Sequence, residues 1–183
     1  MFKWEKWIKD EEFCSASFQE YLDKGLIKEE EETKNLPDSH IKKTNHNIDF
    51  VNNTMNQKKF YDWAIVGCYY AIYHASLSLL TVKGYSSKNH LATLCALIHL
   101  YYDEPKDASD NEEEIKLNRE DIELVAKSSI DKEEVAYFVE AKNKRETASY
   151  GVSEEFNKNE AESLKVKTIL FVNKVKEILE NIR

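Results

Sequence analysis

The sequence is poor in residues that interrupt helices, with four glycines and two prolines among 183 residues. It also has few stretches in which β-branched residues alternate at a period of two, the pattern of half-buried strands. Hydrophobic residues make up 42% of the chain and charged residues 33%, a balance typical of a soluble protein long enough to bury a core. These scarcities argue against a β-rich fold and predict an all-α, antiparallel helical bundle.

Cysteine is also scarce, and Cys14, Cys68 and Cys95 lack the close spacing of zinc ligands. Their odd number argues against a disulfide framework, so we expect buried free thiols, no metal and no cofactor. No segment reaches the roughly 18 uninterrupted apolar residues of a membrane span. The first residues, MFKWEKWIKDEEF, carry charges where a signal peptide needs its apolar stretch. The sequence therefore predicts a cytoplasmic protein without a membrane segment.

Positive charge is outnumbered, because 26 lysines and arginines face 34 acidic residues and the net charge is -8. Non-specific adhesion to nucleic acid depends on many lysine or arginine contacts to phosphates. The charge balance therefore argues against a broad nucleic-acid-binding surface. A local basic site stays open.

The central helix is predicted at residues 60–84, FYDWAIVGCYYAIYHASLSLLTVKG. Aromatic and small residues recur there at steps of three and four, and further apolar residues widen the buried arc. Small side chains around Gly67 favour close approach of a neighbouring helix, while the tyrosines fill space and keep a hydroxyl for a polar partner. Gly84 fits the end of this helix.

The other segments follow the same helical rhythm. Large apolar residues within 1–26 predict one or two short helices that dock on the bundle, so we divide the chain into an N-terminal helical extension, 1–37, and a bundle, 38–183. Between them, residues 28–39 are predicted to be a polar connector. Further helices are predicted from Pro37 to about Gln57, from Lys88 to Tyr102, from Arg119 to Ser128, from Asp131 to Gly151 and from Lys158 or Asn159 onward. Ser86 or Ser87 is the predicted cap of the helix that begins at Lys88. A solvated acidic loop is predicted from Pro105 to Glu114.

Arg145 is the residue whose position stands out. It follows Phe138 by seven residues, which places it within about 20° of a core-facing position on the same helix. An arginine aimed inward is costly unless it is paired or reaches a cleft. Two interpretations stay open on spacing alone, a salt-bridged or snorkelling side chain and a residue that serves a binding site.

A family resemblance is carried by two stretches, YDWAIVGCYYAIYHASLSLLTVKGYSSKNH at 61–90 and AKNKRETASYGVSEEFNKNEAESL at 141–164. Both resemble the HEPN domains of bacteria and archaea. The resemblance covers about residues 38–183. It is carried by Tyr69, Tyr70, Ala71, His74, Ala75, Gly84, Lys88 and His90.

The resemblance implies an all-α bundle that pairs into homodimers. Many such domains are metal-independent ribonucleases of toxin-antitoxin and defence systems, often encoded beside a nucleotidyltransferase. Their catalytic motif is an arginine, a polar residue and, after four to six intervening positions, a histidine. Arg145 and Glu146 match its beginning, but Tyr150 stands where the histidine is expected and no histidine follows Arg145.

Tyrosine, with a pKa near 10, is a poor base at neutral pH, whereas histidine titrates near 6.5. Our first hypothesis is therefore a dimeric binding module with a degenerate nuclease motif. It would bind a nucleotide, RNA or a nucleotidyltransferase partner. The candidate binding residues are Arg145, Tyr150, His74, Lys88 and His90. The alternative is an RNA-cleaving toxin in which Arg145 and Glu146 act with Tyr150 or with a core histidine, His74 or His90.

Overall fold

The computed structural model describes residues 3–30, 36–103, 127–150 and 156–182. These residues form an all-α bundle with one small two-stranded sheet. In chain order the elements are α1 (Lys3–Lys9), α2 (Glu11–Asp23), β1 (Ile27–Glu29), α3 (Leu36–Asn56), α4 (Tyr61–Val82), β2 (Tyr85–Ser87), α5 (His90–Tyr101), α6 (Lys132–Tyr150) and α7 (Lys158–Asn181).

Helix α4 is the centre of the bundle, as the sequence predicts. It packs against α3, α5, α6 and α7, and most of its residues are buried. By length and composition α4 could cross a membrane, since an 18-residue window has a mean hydropathy of 1.4. However, 78% of that window is buried inside the protein, which is the environment of a core helix. Gly84, at φ 77°, follows the end of this helix in the left-handed conformation that glycine adopts without strain.

Helices α3 and α4 run antiparallel in close contact. Thr44 donates a hydrogen bond to the carbonyl of Ala71, while Val51, further along α3, packs on Gly67, earlier on α4. A Cβ atom placed on Gly67 would lie 2.7 Å from Cγ2 of Val51 and 3.0 Å from Cδ1 of Phe50. The expectation that small residues permit close approach is therefore confirmed at Gly67.

The paired strands were not predicted. Ile27–Glu29, which overlaps the start of the expected polar connector at residue 28, pairs antiparallel with Tyr85–Ser87, the segment expected to cap the next helix. Ser87 is used in this pairing, and its hydroxyl donates to the carbonyl of Leu26. Asn89 caps α5 instead, because its side-chain oxygen accepts from the amides of Leu91 and Ala92.

The N-terminal helices pack on α5. The side chains buried there include Trp7, Cys14, Phe18 and Tyr21, so the helices expected within residues 1–26 are present and docked. The predicted acidic loop from Pro105 to Glu114 and most of the predicted helix from Arg119 to Ser128 lie outside the described residues.

Candidate functional site

Helix α6 carries Arg145 into the bundle. Asp131 caps the helix by accepting from the amides of Glu133 and Glu134, at 2.7 and 3.3 Å, which confirms the predicted start. Phe138, seven residues before Arg145, is fully buried, and its ring meets that of Tyr69 edge-on at 6.2 Å. The helical period places Arg145 on this face, and it is half-buried there.

The Arg145 side chain lies among three tyrosines. Its Nη2 donates to the hydroxyl of Tyr70 at 3.3 Å. The guanidinium carbon is 5.8 Å from the ring centroids of Tyr69 and Tyr70 and 5.6 Å from that of Tyr150. Attraction between a guanidinium and aromatic faces at this distance stabilises the charged side chain without using most of its hydrogen-bond donors.

Apart from the bond to Tyr70, the Arg145 side chain makes no hydrogen bond to the described residues. Its Nε is buried and has no hydrogen-bond partner. Across residues 3–30, 36–103, 127–150 and 156–182, no carboxylate lies within ion-pair distance of its guanidinium. The described surroundings thus contain no salt bridge of the kind that one interpretation of the sequence expected. A guanidinium that is held by aromatic rings and has no acidic partner among the described residues is suited to binding an anion such as phosphate.

His90 joins this group through Tyr69. The Tyr69 hydroxyl is hydrogen-bonded to Nδ1 of His90, and the two rings meet edge-on with centroids 5.3 Å apart. Burial lowers the pKa of His90, and the positive charges of Arg145 and Lys142 lower it further. Burial also raises the pKa of Tyr69 well above its ordinary value. At neutral pH the imidazole is therefore uncharged and the phenol keeps its proton.

Charge near Arg145 is mixed. Lys142, one turn earlier on α6, forms an ion pair with Glu146 at 2.6 Å. Glu146, the second candidate residue of the motif, thus contacts Lys142 on the outside of the helix, where its side chain is 49% exposed. Because exposed ion pairs of this kind contribute little, a ligand phosphate can compete with Glu146 for Lys142.

Tyr150, His74 and Lys88 have different surroundings. Tyr150 is the most exposed of the large aromatic residues near the site, at 74%, although its ring contacts Arg145. His74 instead pairs with His40 of α3, with 3.2 Å between their Nδ1 atoms, and burial with the nearby His40 and Lys43 lowers its pKa to about 4. Lys88 is exposed in the link before α5. The structure thus brings together Arg145, Tyr150 and His90, and it places His74 beside His40.

Sequence reasoning assigned no site role to Tyr69 or Tyr70. Both belong to the stretch that carries the family resemblance, but their contacts with Arg145 join residues 75 or more positions apart in the chain. The available signal was the expectation that the tyrosines of the central helix keep a hydroxyl for a polar partner, which is confirmed at both residues. Among the residues that the structure describes, no group of three or more histidine, cysteine, aspartate or glutamate side chains could hold a metal ion.

Fold and geometry together define a helical-bundle protein with an arginine, tyrosine and histidine cluster between α4, α5 and α6. Comparison with known proteins adds the family. Over 139 residues the chain is 31% identical to a protein of Methanocaldococcus jannaschii named "Putative toxin MJ0142". The match covers 76% of this chain and 78% of that protein. The chain belongs to the same family as this toxin-named protein. No family model matches the chain.

Proposed function

We propose that this protein is a HEPN-type, toxin-class binding module that holds a phosphate group of a nucleotide or short RNA at Arg145. The observation that carries the proposal is the guanidinium between three tyrosine rings, with a buried Nε that has no partner. The resemblance to HEPN domains and the family relationship to a toxin-named protein support it.

Each residue of the cluster has a distinct part in such binding. Arg145 supplies two parallel N–H donors, the geometry that matches a phosphate. Tyr150, exposed at the end of α6, offers its ring for stacking on a base. Tyr70 fixes the guanidinium through its hydroxyl, at 3.3 Å. Such a site needs no broad basic surface, which agrees with the net charge of -8.

The test is the affinity of the protein for a fluorescent single-stranded RNA of mixed sequence, measured at several salt concentrations. We expect binding that weakens with salt and falls at least about tenfold in Arg145→Ala, since the loss of a charged hydrogen-bonding pair costs about 1.5–3 kcal/mol. Lys144→Ala is the matched control. Lys144 carries the same charge on the neighbouring position of α6, but it pairs with Glu140 at 3.6 Å. Equal affinity in the wild type and Arg145→Ala would remove the proposed site.

A second candidate function is RNA cleavage without a metal. It is favoured by the position of Tyr69, because the Tyr69 hydroxyl is hydrogen-bonded to His90 and the Tyr69 ring lies beneath the Arg145 guanidinium. In that reaction His90 would take the proton of a ribose 2′-hydroxyl as its oxygen attacks the phosphorus. The bond from phosphorus to the 5′-oxygen of the next nucleotide would break, and that oxygen would leave and take a proton from water. Arg145 would stabilise the charge that develops on the phosphate oxygens.

Incubation of a mixed RNA pool in EDTA at neutral pH separates the two candidates. The binding module predicts little or no cleavage by the wild type. Robust cleavage that is lost in both Arg145→Ala and His90→Asn would establish the enzyme instead. Replacing Tyr150 by histidine completes the arginine and histidine motif of the family, and we expect this variant to cleave more than the wild type.

The assembly and location of the protein are also part of the proposal. We propose a cytoplasmic homodimer in which two Arg145 clusters line one cleft, so that local positive potential outweighs the negative total charge. A nucleotidyltransferase is the proposed protein partner. Light scattering at micromolar concentration tests the dimer, and a scattering mass equal to the 21.4 kDa monomer alone would contradict it.

A further inference from the structure

Cys14 and Cys95 lie in contact where α2 packs on α5. Both are buried, with 2% and 0% of their surface exposed. The Cys95 thiol is 3.9 Å from the carbonyl oxygen of Cys14, to which it donates. The two residues are 81 positions apart in the chain, so their spacing in the sequence does not indicate a pair.

His99 completes this thiol cluster. It lies one turn after Cys95 on α5, and its ring stacks on Phe18, one turn after Cys14 on α2, with centroids 4.4 Å apart. The neighbouring Cys95 thiol lowers the pKa of Cys14 below its ordinary value, with His99 assisting and burial opposing. The thiolate is the reactive form of cysteine, so Cys14 has the surroundings of a nucleophile.

A cavity of about 290 Å³ reaches this cluster. Cys14, His99, Trp7 and Ile98 are among its lining residues. The lining also includes Lys9, Glu11 and Asp103, which are exposed, so the cavity opens to solvent on that side. A small reagent can therefore approach Cys14 although its own exposed surface is small.

We propose that Cys14 and Cys95 form a thiol-disulfide exchange site that reacts with small disulfides entering this cavity. The Cys14 thiolate attacks one sulfur of the reagent, so a mixed disulfide forms and one reagent thiolate leaves. The Cys95 sulfur then attacks the Cys14 sulfur, and the Cys95 proton passes to the second reagent thiolate as it leaves. The second reagent thiol is released and the Cys14–Cys95 disulfide remains. Two protein thiols are thereby oxidised while one reagent disulfide is reduced to two thiols.

Cys68 provides an internal control for this chemistry. It is fully buried on α4, and burial raises its pKa to about 11. It is not among the residues that line the cavity. A reaction that required only a free cysteine would not discriminate between Cys68 and Cys14.

The experiment treats the reduced full-length protein with 2-hydroxyethyl disulfide at pH 7 and follows each cysteine by mass spectrometry. We expect Cys14 to react at least about tenfold faster than Cys68, because Cys14 lines the cavity and Cys68 does not, and because the lowered pKa of Cys14 favours its thiolate. The product should be a Cys14–Cys95 disulfide found in non-reducing peptide maps. Cys95→Ser should stop at the mixed disulfide on Cys14, whereas Cys68→Ser should behave as the wild type.

Two results would overturn the proposal. One is a Cys14 rate no greater than that of Cys68 in the wild type, a comparison within one folded molecule that does not depend on any variant folding. The other is an oxidised wild type that contains no Cys14–Cys95 link although Cys14 has reacted. Both readouts are independent of RNA binding, so the two proposals stand or fall separately.

Discussion

Phe138 and Arg145 occupy equivalent positions on α6, two turns apart, and both lie against the ring of Tyr69. Phe138 is fully buried and also contacts Phe171 of α7, so its apolar surface is satisfied inside the core. Arg145 extends the same face to the point where the core ends, and its charge is held by aromatic rings. One helical face thus supplies stability at one end and a candidate binding site at the other.

The largest expected effect lies at the core end of this comparison. Phe138→Ala should lower the free energy of unfolding by about 3–5 kcal/mol, because it leaves a cavity between Tyr69 and Phe171. Urea denaturation measures this change. Asn143→Ala, at an exposed position of the same helix, is the control and should stay within about 0.5 kcal/mol of the wild type. Similar losses in both variants would contradict the role assigned to Phe138.

At the other end, Arg145→Lys separates charge from geometry. Lysine keeps the positive charge but lacks the planar fork that bonds phosphate through two parallel donors. We expect RNA affinity to fall about tenfold, or about 1.4 kcal/mol, with little change in stability. The measurement combines an RNA titration with thermal unfolding. Full affinity in this variant would show that charge alone is recognised.

His74 and His40 form a polar pair that belongs neither to the core around Phe138 nor to the Arg145 cluster. The pKa of His74 is lowered from 6.5 to about 4, so the unfolded chain binds its proton more readily than the folded protein. The resulting stability is present above about pH 6.5 and is lost as the pH falls towards 4. Because the pair is only half-buried, we expect it to contribute about 1 kcal/mol to the free energy of unfolding after allowance for solvent screening.

Urea denaturation of the wild type between pH 7 and pH 4 measures this loss. His74→Gln should remove part of the pH dependence, whereas His46→Gln, at an exposed position of α3, should retain it. The same pH profile in the wild type and His74→Gln would show that His74 contributes nothing to it.

The smallest expected effect concerns the hydrogen bond that holds the Arg145 guanidinium in place. Tyr70→Phe removes the hydroxyl that accepts from Nη2 at 3.3 Å but keeps the ring beneath the guanidinium. We expect a loss of about 0.5–1.5 kcal/mol in RNA binding, the usual net contribution of one hydrogen bond. Tyr137→Phe is the control, because the Tyr137 hydroxyl contacts Glu133 and not Arg145. Equal losses of RNA affinity in the two variants would contradict the proposal that the Tyr70 hydroxyl holds the Arg145 guanidinium in place.

Periodicity was sufficient to predict the described helices, although the cap of α5 is Asn89 and not the predicted Ser86 or Ser87. The central helix, the turn at Gly84, the cap at Asp131 and the inward direction of Arg145 follow from spacings of one to seven residues, which a single helix fixes. The paired strands Ile27–Glu29 and Tyr85–Ser87 were missed, because three residues are too few to display a period and their pairing is between distant segments.

The partners of Arg145 could not be predicted for the same reason. Whether its donors meet a carboxylate, a tyrosine or solvent depends on how α6 packs on α4, which no local pattern determines. The distinction between His74 and His90 is similar. Both precede Arg145 by more than 50 residues, and only the packing of α4 on α5 and α3 brings one to Tyr69 and the other to His40.

The most direct test of the Arg145 site observes its guanidinium. The sequence has three arginines, Arg119, Arg145 and Arg183, so a ¹H–¹⁵N spectrum of the Nε–H groups contains few signals, and Arg145→Lys identifies the one from Arg145. Titration with a short single-stranded RNA at low salt should shift that signal most, saturably and reversibly with added salt, because a phosphate bound by the guanidinium changes the surroundings of the adjacent Nε–H. RNA binding that leaves the Arg145 signal unmoved would contradict the proposal that this arginine is the phosphate site.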